Sequence, residues 1–311
     1  TINSVTVNSA TSLVANITIA QSAITGLRNV SVTNPAPGGG TATLNNGFAV
    51  NNPAPVLSIV DPNAGSRSET IDVVLTGENF LQNITTVSFG SGITVNAITV
   101  NSPTQLTANV AIASNATLGF RNVAVTNPAP GGGTATFVNA FSVVNPTPTL
   151  TSVAPALGLQ SQTLNVVFTG TGFLTGITSV NFGADITINT TTINSLTQLT
   201  ANITIGANAV VGARDVSVTN VAPGGGTATL AGGFTVGYNA PTLTSLAPAN
   251  ANRLQTLNVV LNGSNFIASV TTVDFGAEIT INSVTVNAAT QLTANISIAG
   301  NATLGGRNVS V

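Results

Sequence analysis

Leu199-Thr200-Ala201-Asn202-Ile203-Thr204-Ile205 alternates apolar and polar side chains without a break. Successive residues of an extended chain point to opposite faces of a sheet, so this stretch reads as a strand with one buried face. The pattern returns at Leu13, Ala15, Ile17 and Ile19, at Leu106, Ala108, Val110 and Ile112, and at Leu292, Ala294, Ile296 and Ile298. Each return lies 93 residues from the last, with no insertion or deletion.

That step governs the whole chain. Arg28, Arg121, Arg214 and Arg307 keep it, each in a G-x-R-[ND]-V-[SA]-V setting, as do the triplets Gly38 to Gly40, Gly131 to Gly133 and Gly224 to Gly226. Phe80, Phe173 and Phe266, and Phe89, Phe182 and Phe275, follow suit. A fixed period marks one folding unit copied end to end. The 311 residues divide into 1–52, the C-terminal part of a repeat, two complete repeats at 53–145 and 146–238, and 239–311, the N-terminal part of a repeat lacking its last strand. The boundaries fall at Asn52-Pro53-Ala54-Pro55, Asn145-Pro146-Thr147-Pro148 and Asn239-Ala240-Pro241. Such short, proline-restricted joints predict units held in a semi-rigid row, a rod. Thr1 aligns with Thr94, Thr187 and Thr280 inside a strand, and Val311 with Val32. The expectation is a slice of a longer polypeptide; the other reading is subunits that complete each other's split domains.

Around the alternating strand each unit breaks into other short β-rich runs, in the third copy Leu150 to Val153, Leu164 to Thr169, Ile177 to Phe182, Ile186 to Ile193, Asp215 to Thr219 and Thr227 to Val236. Gly, Pro, Asn and Ser punctuate them. About seven short strands with no helical periodicity predict an all-β, antiparallel two-sheet sandwich.

In the third copy the unit opens P-T-L-T-S-V-A-P (Pro148 to Pro155) and continues with L-N-V-V-F-T-G-T-G-F (Leu164 to Phe173), V-N-F-G (Val180 to Gly183) and S-L-T-Q-L-T-A (Ser195 to Ala201). It closes on V-S-V-T-N (Val216 to Asn220), a glycine-rich turn and G-F-T-V. This order resembles the IPT/TIG domain. The G-x-[NG]-F followed by V-x-F-G is the most specific part, and the resemblance runs the length of the chain. It implies tandem immunoglobulin-like sandwiches but no particular task, because similar domains serve surface receptors, transcription factors, secreted polysaccharide enzymes and bacterial surface proteins.

Composition removes most chemistry. Charged residues are 5%, with net charge −2 and no Lys, His, Cys, Met or Trp, against roughly 25% charged residues in an ordinary soluble domain. Without imidazole or thiol there is no common catalytic triad and no soft metal ligand. Six Arg cannot form the basic stripe that phosphate neutralisation requires, so nucleic acid is not an expected partner, nor are the DNA-binding members of the family a fit. No run approaches the roughly 18 apolar residues of a membrane span.

The remaining candidates are few. The P-A-P-G-G-G-T stretch lacks the Lys-[ST] and following helix of a phosphate loop and reads as a hairpin turn whose glycines supply positive φ. Arg28, Arg121, Arg214 and Arg307 recur without a recurring carboxylate, since Asp215 follows Arg214 where the other copies have Asn29, Asn122 and Asn308. They read as anchors on backbone carbonyls, or as contacts between domains or subunits. The carboxylates Asp61, Glu69, Asp72, Glu78, Asp185, Asp215, Asp274 and Glu278 form no calcium loop and no pair placed for glycoside hydrolysis. Sequons at Asn16, Asn83, Asn115, Asn202, Asn295 and Asn301 leave glycan attachment open.

No catalytic, cofactor-binding or metal-binding residue is expected, and the chain is not expected to be an enzyme. A surface of Thr, Asn, Ser and Val without repelling charge favours association. The expected function is a structural repeat region of a secreted bacterial fibre, sheath or adhesin stalk, extracellular or at the cell surface, that associates with itself into a filament or layer. The alternatives are an array binding carbohydrate or a receptor, which the single Tyr, Tyr238, and the absence of Trp weaken, and an accessory region of a secreted polysaccharide-degrading enzyme.

Overall fold

The computed structural model describes residues 1–311, and its regular elements are 24 β-strands. Residues 1–52 form β1 (Ile2–Ser9), β2 (Ser12–Ile17), β3 (Gly26–Asn34) and β4 (Gly40–Val50). The second copy forms β5 (Val56–Asp61), β6 (Ala64–Ser66), β7 (Thr70–Glu78), β8 (Thr86–Ser88), β9 (Ile93–Ser102), β10 (Gln105–Ile112), β11 (Gly119–Asn127) and β12 (Gly133–Val144). The third repeats the series as β13 (Thr149–Ala154), β14 (Leu157–Leu159), β15 (Thr163–Thr171), β16 (Thr178–Asn181), β17 (Ile186–Ser195), β18 (Gln198–Ile205), β19 (Gly212–Asn220) and β20 (Gly226–Gly237). The last copy contributes β21 (Thr242–Ala247), β22 (Thr256–Ser264), β23 (Ile279–Ala288) and β24 (Gln291–Ile298).

The chain falls into two compact units, one of Thr1–Thr149 with Gly172–Thr178 and Thr219–Ala228, the other of Leu150–Thr171, Ser179–Val218 and Thr229–Val311. In the first, one four-stranded sheet has the order β5-β7-β10-β9 and a second the order β6-β12-β11-β8. All pairings are antiparallel except that of β6 with β12, which is parallel. Two sheets with this strand order, the first strand split so that its second half joins the last, make the immunoglobulin-like sandwich. In the second, the orders β13-β15-β18-β17 and β14-β20-β19-β16 repeat the plan, and β21-β22-β24-β23 repeats its first sheet.

The alternation that opened the sequence now has its cause. In β10, Leu106, Ala108, Val110 and Ile112 are buried while the residues between them are not. They meet Val73, Leu75, Phe80, Phe89, Phe141 and Val143 in one core. In the third copy Phe182 lies edge-on to both Phe168 and Phe234, with ring centroids 5.5 and 5.1 Å away. That geometry suits the aromatic quadrupole.

In 53–145 and 146–238 the structure adds one element to the sequence reading. About seven strands per copy were expected, and the complete copies have eight. The additional one is β6 or β14, three residues long, too short for any alternation to show. In β14 the middle residue is Gly158, where a Cβ would lie 2.5 Å from Ile205 Cδ1 and 3.0 Å from Phe234 Cζ. The backbone itself covers the core there.

The strands β9, β17 and β23 each carry two register shifts, and an Asn stands at every one: Asn96 and Asn101, Asn189 and Asn194, Asn282 and Asn287. An extra residue at a bulge turns its side chain out of the alternation. Here each amide folds back over the outer face of its own sheet. Asn189 Nδ2 donates to Asn202 Oδ1 at 2.8 Å and to Thr204 Oγ1 at 2.9 Å.

Candidate functional site

The most elaborated polar geometry is the joint between copies. Asn52, the last residue of the first copy, enters the loop that links β11 to β12. Its N–H donates to Pro130 O at 2.8 Å, its carbonyl accepts from Gly132 N at 2.7 Å, and its Nδ2 donates to Pro128 O at 2.7 Å. Asn145 repeats the arrangement on the next loop, with Pro223 O at 2.9 Å, Gly225 N at 2.9 Å and Val221 O at 2.8 Å. Gln21 Nε2 adds a bond to Phe80 O at 3.0 Å across the first joint. A linker residue bonded on both backbone groups and its side chain is fixed in three directions.

Gly131 makes room for this contact and Gly132 for the loop's own turn. Gly131 and Gly132 sit at φ 71° and 66°. A Cβ on Gly131 would lie 2.6 Å from both Asn51 Cβ and Asn52 O, and one on Gly132 would lie 2.3 Å from Asn127 O. Positive φ and close backbone approach both demand glycine. The hairpin turn read from P-A-P-G-G-G is therefore also a socket for the incoming chain.

Behind the socket stands Asn127, 1% exposed. Its Nδ2 donates to Pro53 O at 2.9 Å and Asn79 O at 2.8 Å, and its Oδ1 accepts from Thr85 Oγ1 at 2.7 Å. Thr85 Oγ1 in turn accepts from Leu81 N at 2.7 Å. Asn220 and Thr178 reproduce the set, with Pro146 O and Gly172 O each at 2.8 Å and Thr178 Oγ1 at 2.6 Å. Buried amides need every partner, and these have them. The sequence shows Asn127 and Asn220 only as recurring at a 93-residue step in a Thr-Asn-x-Ala-Pro setting, and their buried bonds come from the fold.

Arg28, Arg121 and Arg214 lie at the start of the strand leading to this loop, and Arg307 holds the corresponding place in the last copy outside any strand. In every copy Nη2 donates to the carbonyl four residues earlier: Ile24 at 2.6 Å, Thr117, Val210 at 2.7 Å and Thr303 at 2.9 Å. Arg214 and Arg307 also reach Ala184 O and Ala277 O, each at 2.7 Å. These bonds lie within single copies. Arg67 and Arg253, the two arginines outside the first series, are themselves two periods apart with Gln160 between them. Arg67 Nε donates to Ala116 O at 2.7 Å, Gln160 Nε2 to Ala209 O at 2.8 Å and Arg253 Nε to Ala302 O at 2.6 Å. Arg67 Nη1 lies 3.4 Å from Asn145 Oδ1, which ties the body of the second copy to its outgoing joint. Testing the two leftover arginines for a double period would have found them.

Of the carboxylates, Glu278 pairs with Arg307 at 3.2 Å. The Thr303 N–H at 2.7 Å holds its carboxyl below the ordinary value of 4.5, partial desolvation opposes, and the Arg307 guanidinium adds to the lowering. No group of three or more acidic residues is placed to hold a metal ion, and no helix is long and apolar enough to cross a membrane. A cleft of about 370 Å³ in the last copy is lined by Leu246, Val259, Phe275, Ile296 and Val309. Arg253, Thr303 and Arg307 line it as well, and its Phe275 is the counterpart of Phe182, which packs on Phe234 in the third copy.

No family model matches the chain, and no curated protein matches it. Among solved structures it is similar to the Escherichia coli adhesin FdeC, with 13% identity, 79% of this chain and 88% of that chain covered, and a TM-score of 0.30. Similarity to the Yersinia pseudotuberculosis adhesin InvE is 16% in identity over 67% of this chain and 69% of that one, with a TM-score of 0.32. For the plexin A4 extracellular region the identity is 18% and the TM-score 0.25; 80% of this chain is covered, and the chain spans 21% of the plexin. Likeness this remote transfers no function.

Proposed function

We propose that the chain is a spacer: a structural repeat region of an extracellular bacterial fibre, sheath or adhesin stalk, built from IPT/TIG-type domains bounded at 52/53, 145/146 and 238/239, which associates with itself. The joint is the observation that carries this reading. A repeat array meant to reach freely would separate its units by a solvated linker. At the first two joints the linker residue, Asn52 or Asn145, is hydrogen-bonded on both backbone groups and its side chain inside the next copy's glycine loop. Such a joint supports transmission of stiffness from copy to copy. A charged fraction of 5% supports the self-associating part, because little repulsion keeps neighbouring chains apart.

Sedimentation velocity across a concentration series, with electron microscopy of the same samples, tests both parts. Ordered assemblies with an axial spacing commensurate with one or more repeats are expected. Protein that stays monomeric at high concentration rejects self-association, and freely bending strings reject the stiff spacer.

A further inference from the structure

In the third and last copies the outer face of the sheet that carries the bulged strand is a layer of neutral side chains tied by hydrogen bonds. In the third copy Asn189 donates to Asn202 and Thr204, Asn202 Nδ2 donates to Asn165 Oδ1 at 2.6 Å, and Thr163 pairs with Thr204 at 2.9 Å. Asn194 completes the next row on Thr200 at 2.9 Å. The last copy repeats it: Asn282 on Asn295 at 2.8 Å, Asn295 on Asn258 at 2.6 Å, and Thr256 with Ser297 at 2.9 Å. The second copy keeps the Asn ladder, but Ala111 stands where the others have Thr204 and Ser297, and Asp61 and Glu78 lie on the same face. Asn109 Nδ2 donates at 2.6 Å to Asp72, which replaces the Asn of the other two.

We infer that this face is the lateral self-association surface, packing against the same face of a second copy of the chain; the inference rests on the self-association proposed above. Three physical features select the occupant. Burying an amide is costly when its partners are water, and cheap when its hydrogen bonds are already made within the layer. Faces without charge do not repel their own kind. Size matches a contact that strengthens by repetition. Four strands of about eight residues, at about 4.8 Å and 3.3 Å spacing, offer about 500 Å². Two such faces bury about 1,000 Å², below the roughly 1,600 Å² of a standard stable interface. One pair is therefore weak, and engagement of several copies multiplies it through effective concentration.

Asp72 makes the test clean, because the chain already tolerates a carboxylate at this position. Asn165→Asp with Asn258→Asp puts the second copy's Asn–Asp pair into the other two and preserves folding. Asp72→Asn removes the ladder's own charge and leaves Asp61 and Glu78 on the second copy's face. Thr136→Asp with Thr229→Asp places equal charge on exposed positions of the other sheet as a control. Each full chain is followed by sedimentation velocity at low and high salt. The paired Asn→Asp change is expected to weaken association about tenfold or more at low salt, through like charges facing each other, with partial recovery at high salt. Asp72→Asn is expected to strengthen it, and the control to leave it within about twofold. If wild type associates and the paired variant associates equally well, the face assignment is overturned while self-association stands. If wild type itself stays monomeric, both fall.

Discussion

Asn127 has both amide protons and its carbonyl oxygen engaged while 1% exposed. Asn127→Ala would leave two carbonyls and the Thr85 hydroxyl without their partner, a loss of about 3 kcal/mol. Urea unfolding of the full chain checks this, and a loss under about 1 kcal/mol would mean water replaces the amide. Gly132→Ala forces a Cβ to 2.3 Å from Asn127 O at φ 66°, and costs about 2 kcal/mol or more. For Glu278 the sign follows from the lowered folded value. Its contribution is present above the unfolded carboxyl range and is lost as pH falls through the folded value. Thermal melts of wild type and Glu278→Gln from pH 7 to pH 3 should therefore converge on acidification. An advantage that grew as pH fell would contradict the assignment.

The strands show where pattern suffices. Alternation exposed β10 and β18 at once, because one face of each is core and the other is water. β14 escaped because its three residues lie parallel to β20, joined by pairings more than 70 positions away in sequence, as Leu157 with Thr235. Gly158→Ala there should cost about 1–3 kcal/mol by overpacking against Ile205 and Phe234. Hydrogen exchange should show β14 and the end of β20 opening first, and uniform acceleration across the copy would argue for a different locus. Phe182→Ala, which removes the ring between Phe168 and Phe234, should cost about 3–5 kcal/mol. The bulges of β17 were hidden too. Asn189 and Asn194 are visible in the sequence, but only the pairing with β18 shows that each is the extra residue.

For the molecule as a whole, cohesion is apolar packing and neutral hydrogen bonding, with the one ion pair Arg307–Glu278 partly exposed. Raising salt from about 0.05 to about 0.5 M should shift the melting temperature by less than about 2 °C. A larger shift measured by calorimetry would reveal charge interactions that this geometry does not contain. Single-molecule extension should show the second and third copies unfolding as separate events, each releasing up to about 320 Å of chain at about 3.4 Å per residue. Merged events would mean that the joints couple the copies into one cooperative block.

Period, strand content and the lack of thiol, imidazole and soft ligands follow from the order of residues alone, since copying, alternation and composition are properties of a string. The split first strand, the glycine socket around Asn52 and the Asn ladder depended on folding. Each joins residues tens of positions apart: Asn52 to Pro130, Leu157 to Thr235, Asn202 to Asn165. A one-dimensional period marks such residues as recurring. Which of them touch is decided by the return of the chain across two sheets, and nothing local encodes that return.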